Sequence, residues 1–201
     1  MARGYDAIAE RYADWAASFE SPTMRWVEKL LARLEDGSKV LELGCGGGRP
    51  ATQRLAGRHE LLAVDISAKQ VDRARERVPN ATFRQADATE LRFEEGTFDA
   101  VVTLYMLGHV PRAEQGPLLG SIADWLRPEG LLLATMGTAG AEDEVEQDWL
   151  GAPMFFASFD AETNRKLLAD AGFELIEAKV IPIEEPGHGL VSFMWVLARK
   201  P

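Results

Sequence analysis

The sequence lacks the features that mark secreted and membrane-spanning proteins. A single cysteine among 201 residues excludes an internal disulfide and fits a reducing compartment. No apolar run approaches the roughly 20 residues that a bilayer span requires, and the first residues lead into an amphipathic segment instead of a signal-peptide core. We therefore expect a cytoplasmic protein with no membrane partner.

Positive charge is also in deficit. With 22 Lys and Arg against 32 Asp and Glu, the formal net charge is −10, which repels phosphate backbones and counts against a nucleic-acid partner. Arg73, Arg75 and Arg77 form a local basic run, but Asp72 and Glu76 alternate with them. That alternation is typical of a solvent-exposed helix face.

Metal-site spacing is likewise missing from the sequence. His, Cys and carboxylate residues form no cluster at ligand spacing, and the acids from Glu142 to Asp148 are predicted to lie on a solvated helix face. We therefore expect no metal.

Apolar and amphipathic segments alternate through the middle of the chain. Helices at 5–19 and 23–34 are predicted to precede the first strand, and further helices separate most of the later strands. This order predicts one doubly wound α/β domain over residues 1–201, with a mostly parallel sheet. No helix separates the last two strands, so the last is expected to be antiparallel. The seven strands are predicted at 39–43, 61–65, 82–87, 98–104, 131–135, 174–181 and 191–198.

The stretch from Glu42 to Gly48 (ELGCGGG) follows the first of these strands. Its glycines permit a tight turn and let a ligand approach the backbone. Asp65 and Asp87 end the next two strands, where open α/β sheets bind ligands. Asp65 follows the first glycine by about twenty residues, the separation of an acid that accepts from ribose hydroxyls, while Asp87 and the Ala88 amide are placed to bind a base. The pattern predicts a nucleoside site.

With these residues in place, the chain resembles the class I S-adenosylmethionine-dependent methyltransferases of the small-molecule type. The resemblance covers nearly the whole chain and is weakest at 138–159. One departure is Glu129, where the family commonly has glycine. The resemblance implies a Rossmann-like fold, S-adenosylmethionine as cofactor and S-adenosylhomocysteine as product. It rests on the ordered segments YDAIAERYADW, ELGCGGG, AVDIS, QADATEL, FDAVVTLYMLGHVP and LRPEGLLLATM.

The resemblance also implies roles for individual residues around the cofactor. Glu42 is expected under the glycine turn, Gly44 and Gly46 along the methionine part, and Cys45 in the turn as a small residue that fits. Asp65 is expected to bind the ribose, and Ile66, Asp87 and Ala88 to bind the adenine. The backbone carbonyl of Leu104 is expected near the cofactor's amino group. Tyr5 and Tyr12 are expected to close over the methionine carboxylate.

The acceptor is expected to be a small apolar or aromatic molecule. The family's signature for amino groups of nucleic acids is absent after strand four, where the chain reads Leu104-Tyr105-Met106-Leu107. Residues 1–36 are expected to form a helical lid, and 138–159 an insertion over the active site. The alternative for 149–156 is a plug of core. The predicted pocket comprises Tyr12, Trp15, Tyr105, Met106, His109, Trp149, Met154, Phe155, Phe156 and His188.

His109, just past strand four, is the candidate general base, because an unperturbed pKa of about 6.5 suits that role. The alternative is that it only buttresses the strand-four loop. Two other functions stay open: an NAD-type dehydrogenase, since a glycine turn and a strand-two acid fit both, and a non-catalytic S-adenosylmethionine-binding regulator. A monomer or homodimer is expected.

Overall fold

The computed structural model describes residues 1–48 and 50–201. Short 3-10 turns at Ala88–Glu90 and Leu107–His109 lie between the longer elements. These elements are, in chain order, α1 (Ala2–Ala17), α2 (Thr23–Leu31), β1 (Lys39–Leu43), α3 (Ala51–Ala56), β2 (Glu60–Asp65), α4 (Ala68–Arg77), β3 (Thr82–Gln85), β4 (Phe98–Thr103), α5 (Arg112–Trp125), β5 (Leu126–Gly137), β6 (Glu144–Trp149), β7 (Ala152–Phe156), α6 (Ala161–Asp170), β8 (Glu174–Glu185) and β9 (Gly189–Arg199).

Seven of the strands form one sheet in the order β3-β2-β1-β4-β5-β9-β8. The first five are mutually parallel, and β9 pairs antiparallel with both β5 and β8. The predicted sheet, mostly parallel with an antiparallel last strand, is confirmed. The strand order reverses direction at β1 and β4, which places the switch point beside the glycine turn.

Apolar side chains fill both faces of the sheet. In β1, Leu41 and Leu43 join the core under α5 and α6, whereas Val40 joins the core under α2, α3 and α4. Two-residue alternation sends neighbouring strand side chains to opposite faces, so a strand of this kind is apolar nearly throughout. On the α2 face, Trp26 stacks on Trp195 at 5.8 Å between ring centroids, and both are buried.

Two helix boundaries are fixed by residues a few positions apart in the sequence. Ser67 caps α4, since its hydroxyl accepts from the Gln70 backbone N–H at 3.1 Å. At the end of α6, the Phe173 N–H donates to the Leu168 carbonyl and the Gly172 N–H to the Ala169 carbonyl. This is a Schellman ending with Gly172 at φ 88°.

The insertion is the main correction to the predicted elements. Residues 144–149 and 152–156 pair as an antiparallel two-stranded hairpin, so the acids of this segment lie on a strand and not on a helix face. Glu144, Glu146 and Asp148 occupy alternate positions of β6 and are exposed. A two-residue period in the acids was therefore the correct signal, and the segment holds too few apolar residues for helical periodicity to decide.

One strand boundary moved. The strand predicted at 131–135 is part of a longer β5 that begins at Leu126, and its pairing with β4 shifts register between Phe98 and Ala100. Glu129 has φ 65° there, a left-handed conformation that glycine adopts more readily. Within the segment expected to form a lid, α2 packs on the sheet, whereas α1 contacts α4 and β7.

Candidate active site

A cavity of about 450 Å³ opens at the carboxyl ends of β1, β2 and β4. Its volume falls in the range of small-molecule sites, about 300–1,000 Å³. Parallel strands end at one edge of the sheet, so the segments that follow them converge there. Of the residues predicted from the sequence, the cavity is lined by Tyr5, Tyr12, Gly44, Gly46, Asp65, Ile66, Asp87, Ala88, Leu104, Tyr105, Met106, His109 and Phe155.

The glycine turn is held against the end of β2. The backbone N–H groups of Gly44 and Cys45 donate to the Val64 carbonyl. Gly44 has φ 78°, and a Cβ on it would lie 2.6 Å from Cβ of Met106. Gly46 has φ 53°, and a Cβ on it would have no heavy atom within 4 Å. Packing therefore requires glycine at 44, whereas at 46 only the left-handed backbone conformation favours glycine.

Asp65 links the turn to α4. Its Oδ2 accepts from the Gly46 N–H at 2.8 Å, and its Oδ1 accepts from the Ser67 N–H at 2.9 Å. Burial raises the pKa of this carboxyl, while the backbone hydrogen bonds partly oppose the rise. Each carboxylate oxygen has a further lone pair, so Asp65 retains capacity to accept from a ligand in the cavity.

Glu42, which precedes the turn, and Cys45, which lies within it, are not in the lining. Glu42 is 4% exposed, and burial raises its pKa to about 7. Its Oε2 has no hydrogen-bond partner within residues 1–48 and 50–201. Burial also raises the pKa of the Cys45 thiol, which keeps it protonated and unreactive.

Asp87 and Ala88, which follow β3, also line the cavity. Asp87 accepts from the backbone N–H and the hydroxyl of Thr89, and so caps the 3-10 turn that begins at Ala88. We call the glycine turn (residues 44–48), Asp65 and Asp87 the floor of the cavity.

Tyr105 follows β4 in a strained conformation. Its φ is 59°, uncommon for a residue with a large side chain and more frequent at functional sites. The backbone N–H donates to the Thr135 hydroxyl at 2.5 Å, and the phenol oxygen lies 2.7 Å from the hydroxyl oxygen of Ser21. Burial raises the pKa of Tyr105 to about 12, so the phenol stays protonated.

His109 joins three segments that are distant in sequence. Nδ1 lies 2.9 Å from the Phe155 carbonyl oxygen, which can only accept, so Nδ1 carries the proton. Nε2 lies 2.7 Å from the Tyr5 hydroxyl and therefore accepts from it. Burial lowers the pKa of His109 to about 4. A neutral imidazole with both nitrogens engaged matches the buttressing role more closely than that of a free base with an ordinary pKa.

The rest of the predicted pocket belongs to an aromatic cluster outside the lining. Trp149 and Met154 are buried against Ile8 of α1, which is the core-plug alternative for these two residues. Trp15 packs 5.5 Å from Trp149 between ring centroids, and Phe156 also lies 5.5 Å from it. We call α1, the β6–β7 hairpin and the turn at 185–189 the cover.

His188 is exposed on this turn and not in the lining. Its ring centroid lies 6.1 Å from that of Trp15 and 6.3 Å from that of Trp149. The turn is fixed to α1 by a 3.0 Å hydrogen bond from Trp15 Nε1 to the Pro186 carbonyl.

Several lining residues were missed from the sequence. Val64 and Ala86 directly precede predicted residues, and adjacency was a usable signal for them. Gln70 and Glu114 lie on helices that pack at the cavity edge, and the sequence carries no marker that separates them from other polar helix residues. The full set missed is Met1, Val64, Gln70, Ala86, Thr89, Val110, Pro111 and Glu114.

Two features are absent from the described part of the chain. No group of three or more His, Cys, Asp or Glu residues is arranged to hold a metal ion there. Over the same residues, no helix combines the length and apolar character needed to cross a membrane.

Comparison with known proteins connects this cavity to a family. Residues 40–130 match the model of a family described as methyltransferase domain. The chain is 31% identical over 149 residues to an uncharacterized methyltransferase of Synechocystis sp., covering 72% of this chain and 68% of the relative. It is 31% identical over 175 residues to 27-O-demethylrifamycin SV methyltransferase of Amycolatopsis mediterranei, covering 73% of this chain but 63% of that relative's length.

A solved structure has the same fold. The 1,6-didemethyltoxoflavin-N1-methyltransferase of Burkholderia thailandensis, solved with 1,6-didemethyltoxoflavin and S-adenosylhomocysteine bound, aligns with a TM-score of 0.69. The alignment covers 100% of this chain and 91% of that one, at 22% identity.

Proposed function

The chain belongs to the S-adenosylmethionine-dependent methyltransferases, and on that premise we propose that it transfers a methyl group from S-adenosylmethionine to a small-molecule acceptor. The observation that carries the proposal is the floor of the cavity, where the glycine turn, Asp65 and Asp87 converge. When bound, the cofactor supplies an electrophilic methyl group on a positively charged sulfur.

The cavity fits a cationic nucleoside ligand. Its described lining contains the acids Asp65, Asp87 and Glu114 and no lysine or arginine, so the field favours positive charge. Open space at Gly46 leaves room against the backbone. We assign the ribose to Asp65, the adenine to Ile66, Asp87 and Ala88, and the methionine part to Gly44, Gly46, Leu104, Tyr5 and Tyr12. Glu42 and Cys45 support the turn without lining the cavity.

The protein's contribution to catalysis is alignment. Methyl transfer from a sulfonium is an in-line displacement that leaves a neutral thioether, and holding donor and acceptor in line can lower the barrier by several kcal/mol. We place the acceptor beside Tyr105, Met106 and Phe155, which line the cavity next to Leu104. Trp15, Trp149, Met154, Phe156 and His188 shape the cover behind them.

We assign His109 a positioning role. Its neutral ring holds the Tyr5 hydroxyl over the cavity and ties it to β7 through the Phe155 carbonyl. Acting as a base would require Tyr5 to leave Nε2, and a pKa of about 4 gives little driving force for removing a proton. Acceptors that are nucleophilic without proton removal suit this site best.

A methyl-labelling experiment tests the proposal. The protein is incubated with methyl-labelled S-adenosylmethionine and a panel of phenols, amines, thiols and carboxylates, and label in the acceptor is counted. Transfer to at least one class is expected. Silence across the panel, with micromolar S-adenosylhomocysteine binding intact, would favour the non-catalytic regulator instead.

The acceptor class, the compartment, the assembly and the absence of a metal requirement are also part of the proposal. A net charge of −10 supports a small acceptor over a nucleic acid, and the single cysteine supports the cytoplasm. We propose a monomer or homodimer that acts without a metal. Analytical ultracentrifugation checks the assembly, and unchanged turnover in a chelator checks the metal.

A further inference from the structure

The chain turns sharply after β4. Pairing between β4 and β5 ends at Thr103, although β5 itself continues to Gly137. The turn falls at Tyr105, whose φ of 59° is left-handed. This conformation costs energy for a residue with a Cβ and persists only where its surroundings impose it. Because Tyr105 also lines the cavity, the contacts that impose the turn bear on the site.

Two hydroxyl groups anchor Tyr105. The first belongs to Thr135 of β5, which is 1% exposed and accepts from the Tyr105 backbone N–H at 2.5 Å. A strand that stops pairing leaves such an N–H without a backbone acceptor, and a buried amide without a partner is costly. The second belongs to Ser21, just before α2, whose hydroxyl oxygen lies 2.7 Å from the phenol oxygen. The backbone and the ring of Tyr105 are thus held from two different elements.

The turn sets the position of the residues on either side of it. Leu104 and Met106 also line the cavity, and a Cβ at Gly44 would lie only 2.6 Å from Cβ of Met106. The Met106 carbonyl accepts from the His109 N–H at 2.9 Å, at the start of the 3-10 turn that brings His109 to Tyr5. A changed backbone angle at the turn would therefore move the wall of the cavity and the contact with the cover together.

We propose that Thr135 and Ser21 are positioning residues for methyl transfer, which hold Tyr105 in its left-handed turn and so set the cavity wall at 104–106. Neither is among the lining residues, so both act through Tyr105. The inference rests on the proposed function, which places Leu104 at the methionine part of the cofactor. Loss of an anchor should weaken binding at that part and spare the adenine end, which lies at the ends of β2 and β3.

Thr135→Val and Thr103→Val form a matched pair of shape-conserving changes. Thr103 is also buried, in the neighbouring strand, but its hydroxyl has no hydrogen-bond partner among the described residues. S-adenosylhomocysteine is titrated calorimetrically into each variant. Thr135→Val should weaken its affinity about 10-fold because the Tyr105 N–H loses its acceptor, and Thr103→Val should change it less than about 2-fold. Thr135→Ser keeps the hydroxyl and should stay within about 3-fold of the wild type.

A truncated ligand separates positioning from general loosening of the site. 5′-Methylthioadenosine keeps the adenine, the ribose and the thioether but lacks the amino acid end of S-adenosylhomocysteine. Its affinity should change less than about 2-fold in Thr135→Val, because its assigned contacts lie at Asp65 and Asp87, away from the turn. Ser21→Ala leaves the lining itself unchanged and should weaken S-adenosylhomocysteine about 3-fold, again sparing methylthioadenosine.

The outcomes separate these roles from the function beneath them. Urea unfolding is measured first, so that affinities are compared only in folded protein. If Thr135→Val keeps the wild-type affinity, or weakens both ligands alike, Thr135 has a structural role only and the proposed function stands. If that variant does not fold, Ser21→Ala supplies the test, and an unchanged ratio of the two affinities would contradict the proposal. If the wild type binds neither ligand, the proposed function fails and the positioning roles fail with it.

Discussion

The floor of the cavity is built from residues at the ends of adjacent strands, whereas its cover is built from segments that are far apart in the sequence. The glycine turn, Asp65 and Asp87 follow three adjacent parallel strands, and each is held by backbone hydrogen bonds near its own position. The cover is joined to the segment after β4 by long-range contacts: Tyr5 meets His109 across 104 residues, and His109 meets the Phe155 carbonyl across 46. Each of these contacts depends on a side chain.

This difference matters for function. A site built on strand ends inherits the rigidity of the sheet, as a cofactor common to a whole family requires. A cover held by aromatic packing changes with a few substitutions, and we propose that acceptor choice is decided there. Substitutions in the floor should therefore act on cofactor binding, and those in the cover on local order and acceptor preference.

The largest effect is expected from Asp65→Asn. The change removes a buried charge-assisted acceptor for the Gly46 and Ser67 N–H groups and for a ligand diol, at about 1.5–3 kcal/mol for a hydrogen bond to a charged group. We expect S-adenosylhomocysteine affinity to fall about 100-fold by calorimetry. Asp72→Asn, an exposed control in α4 that pairs with Arg75, should change it less than 2-fold. A weak effect of Asp65→Asn would show that the Asp65 carboxylate does not bind the cofactor.

A pH dependence is expected from His109, which contacts the cover through Tyr5 and Phe155. Its pKa of about 4 in the folded protein lies below the unfolded value of about 6.5. The folded state thus binds this proton less readily, and the stability contributed by the neutral ring is present above pH 6.5 and lost as pH falls toward 4. The difference is of order 3 kcal/mol across that window.

Urea unfolding of the wild type and His109→Gln checks this dependence between pH 7 and 4. Glutamine can still donate to one partner and accept from the other, so the variant should show a flatter decline while remaining folded at pH 7. Parallel declines for the two proteins would show that His109 is not held neutral by burial.

The two glycines of the floor should separate folding from binding. Gly44→Ala places a Cβ 2.6 Å from Met106 Cβ at φ 78°, and we expect a loss of about 2–3 kcal/mol in unfolding free energy. Gly46→Ala meets open space, so its strain should cost about 1 kcal/mol. The added methyl group occupies the cavity and should weaken S-adenosylhomocysteine binding at least 10-fold. Equal stability losses in the two variants would contradict the division.

Trp149→Ala should loosen the cover with little effect on the floor. Removing a buried tryptophan costs about 3–5 kcal/mol in a full core; here the cluster is peripheral, and we expect about 2 kcal/mol. Hydrogen exchange should accelerate at 2–17 and 144–156 and stay unchanged in β1 and β4. Val145→Ala, 51% exposed on the same strand, is the matched control. Faster exchange throughout the sheet would mean that cover and floor unfold together.

The same division explains what the sequence could and could not predict. Gly44, Gly46, Asp65 and Asp87 were found because strand ends converge at a known edge of a parallel sheet. Helix caps such as Ser67 and Gly172 are readable from the sequence because capping depends on residues a few positions apart. The sequence therefore predicts the sheet, its direction changes and the floor.

The cover escaped prediction because its contacts are tertiary. Trp149 and Met154 were expected in the pocket but pack on Ile8, a contact that no periodicity encodes. The β6 acids were assigned to a helix face, although their two-residue spacing favours a strand. His109 was found by position, but the burial that lowers its pKa was not visible.

Competition between two cofactors tests the central claim most directly. S-adenosylhomocysteine and NADH are titrated separately, and then against each other, into the wild-type protein by calorimetry. We predict one S-adenosylhomocysteine site per chain with micromolar affinity, unaffected by excess NADH. Tighter binding of NADH, with displacement of S-adenosylhomocysteine, would contradict the assignment of the floor to a methyl-transfer cofactor.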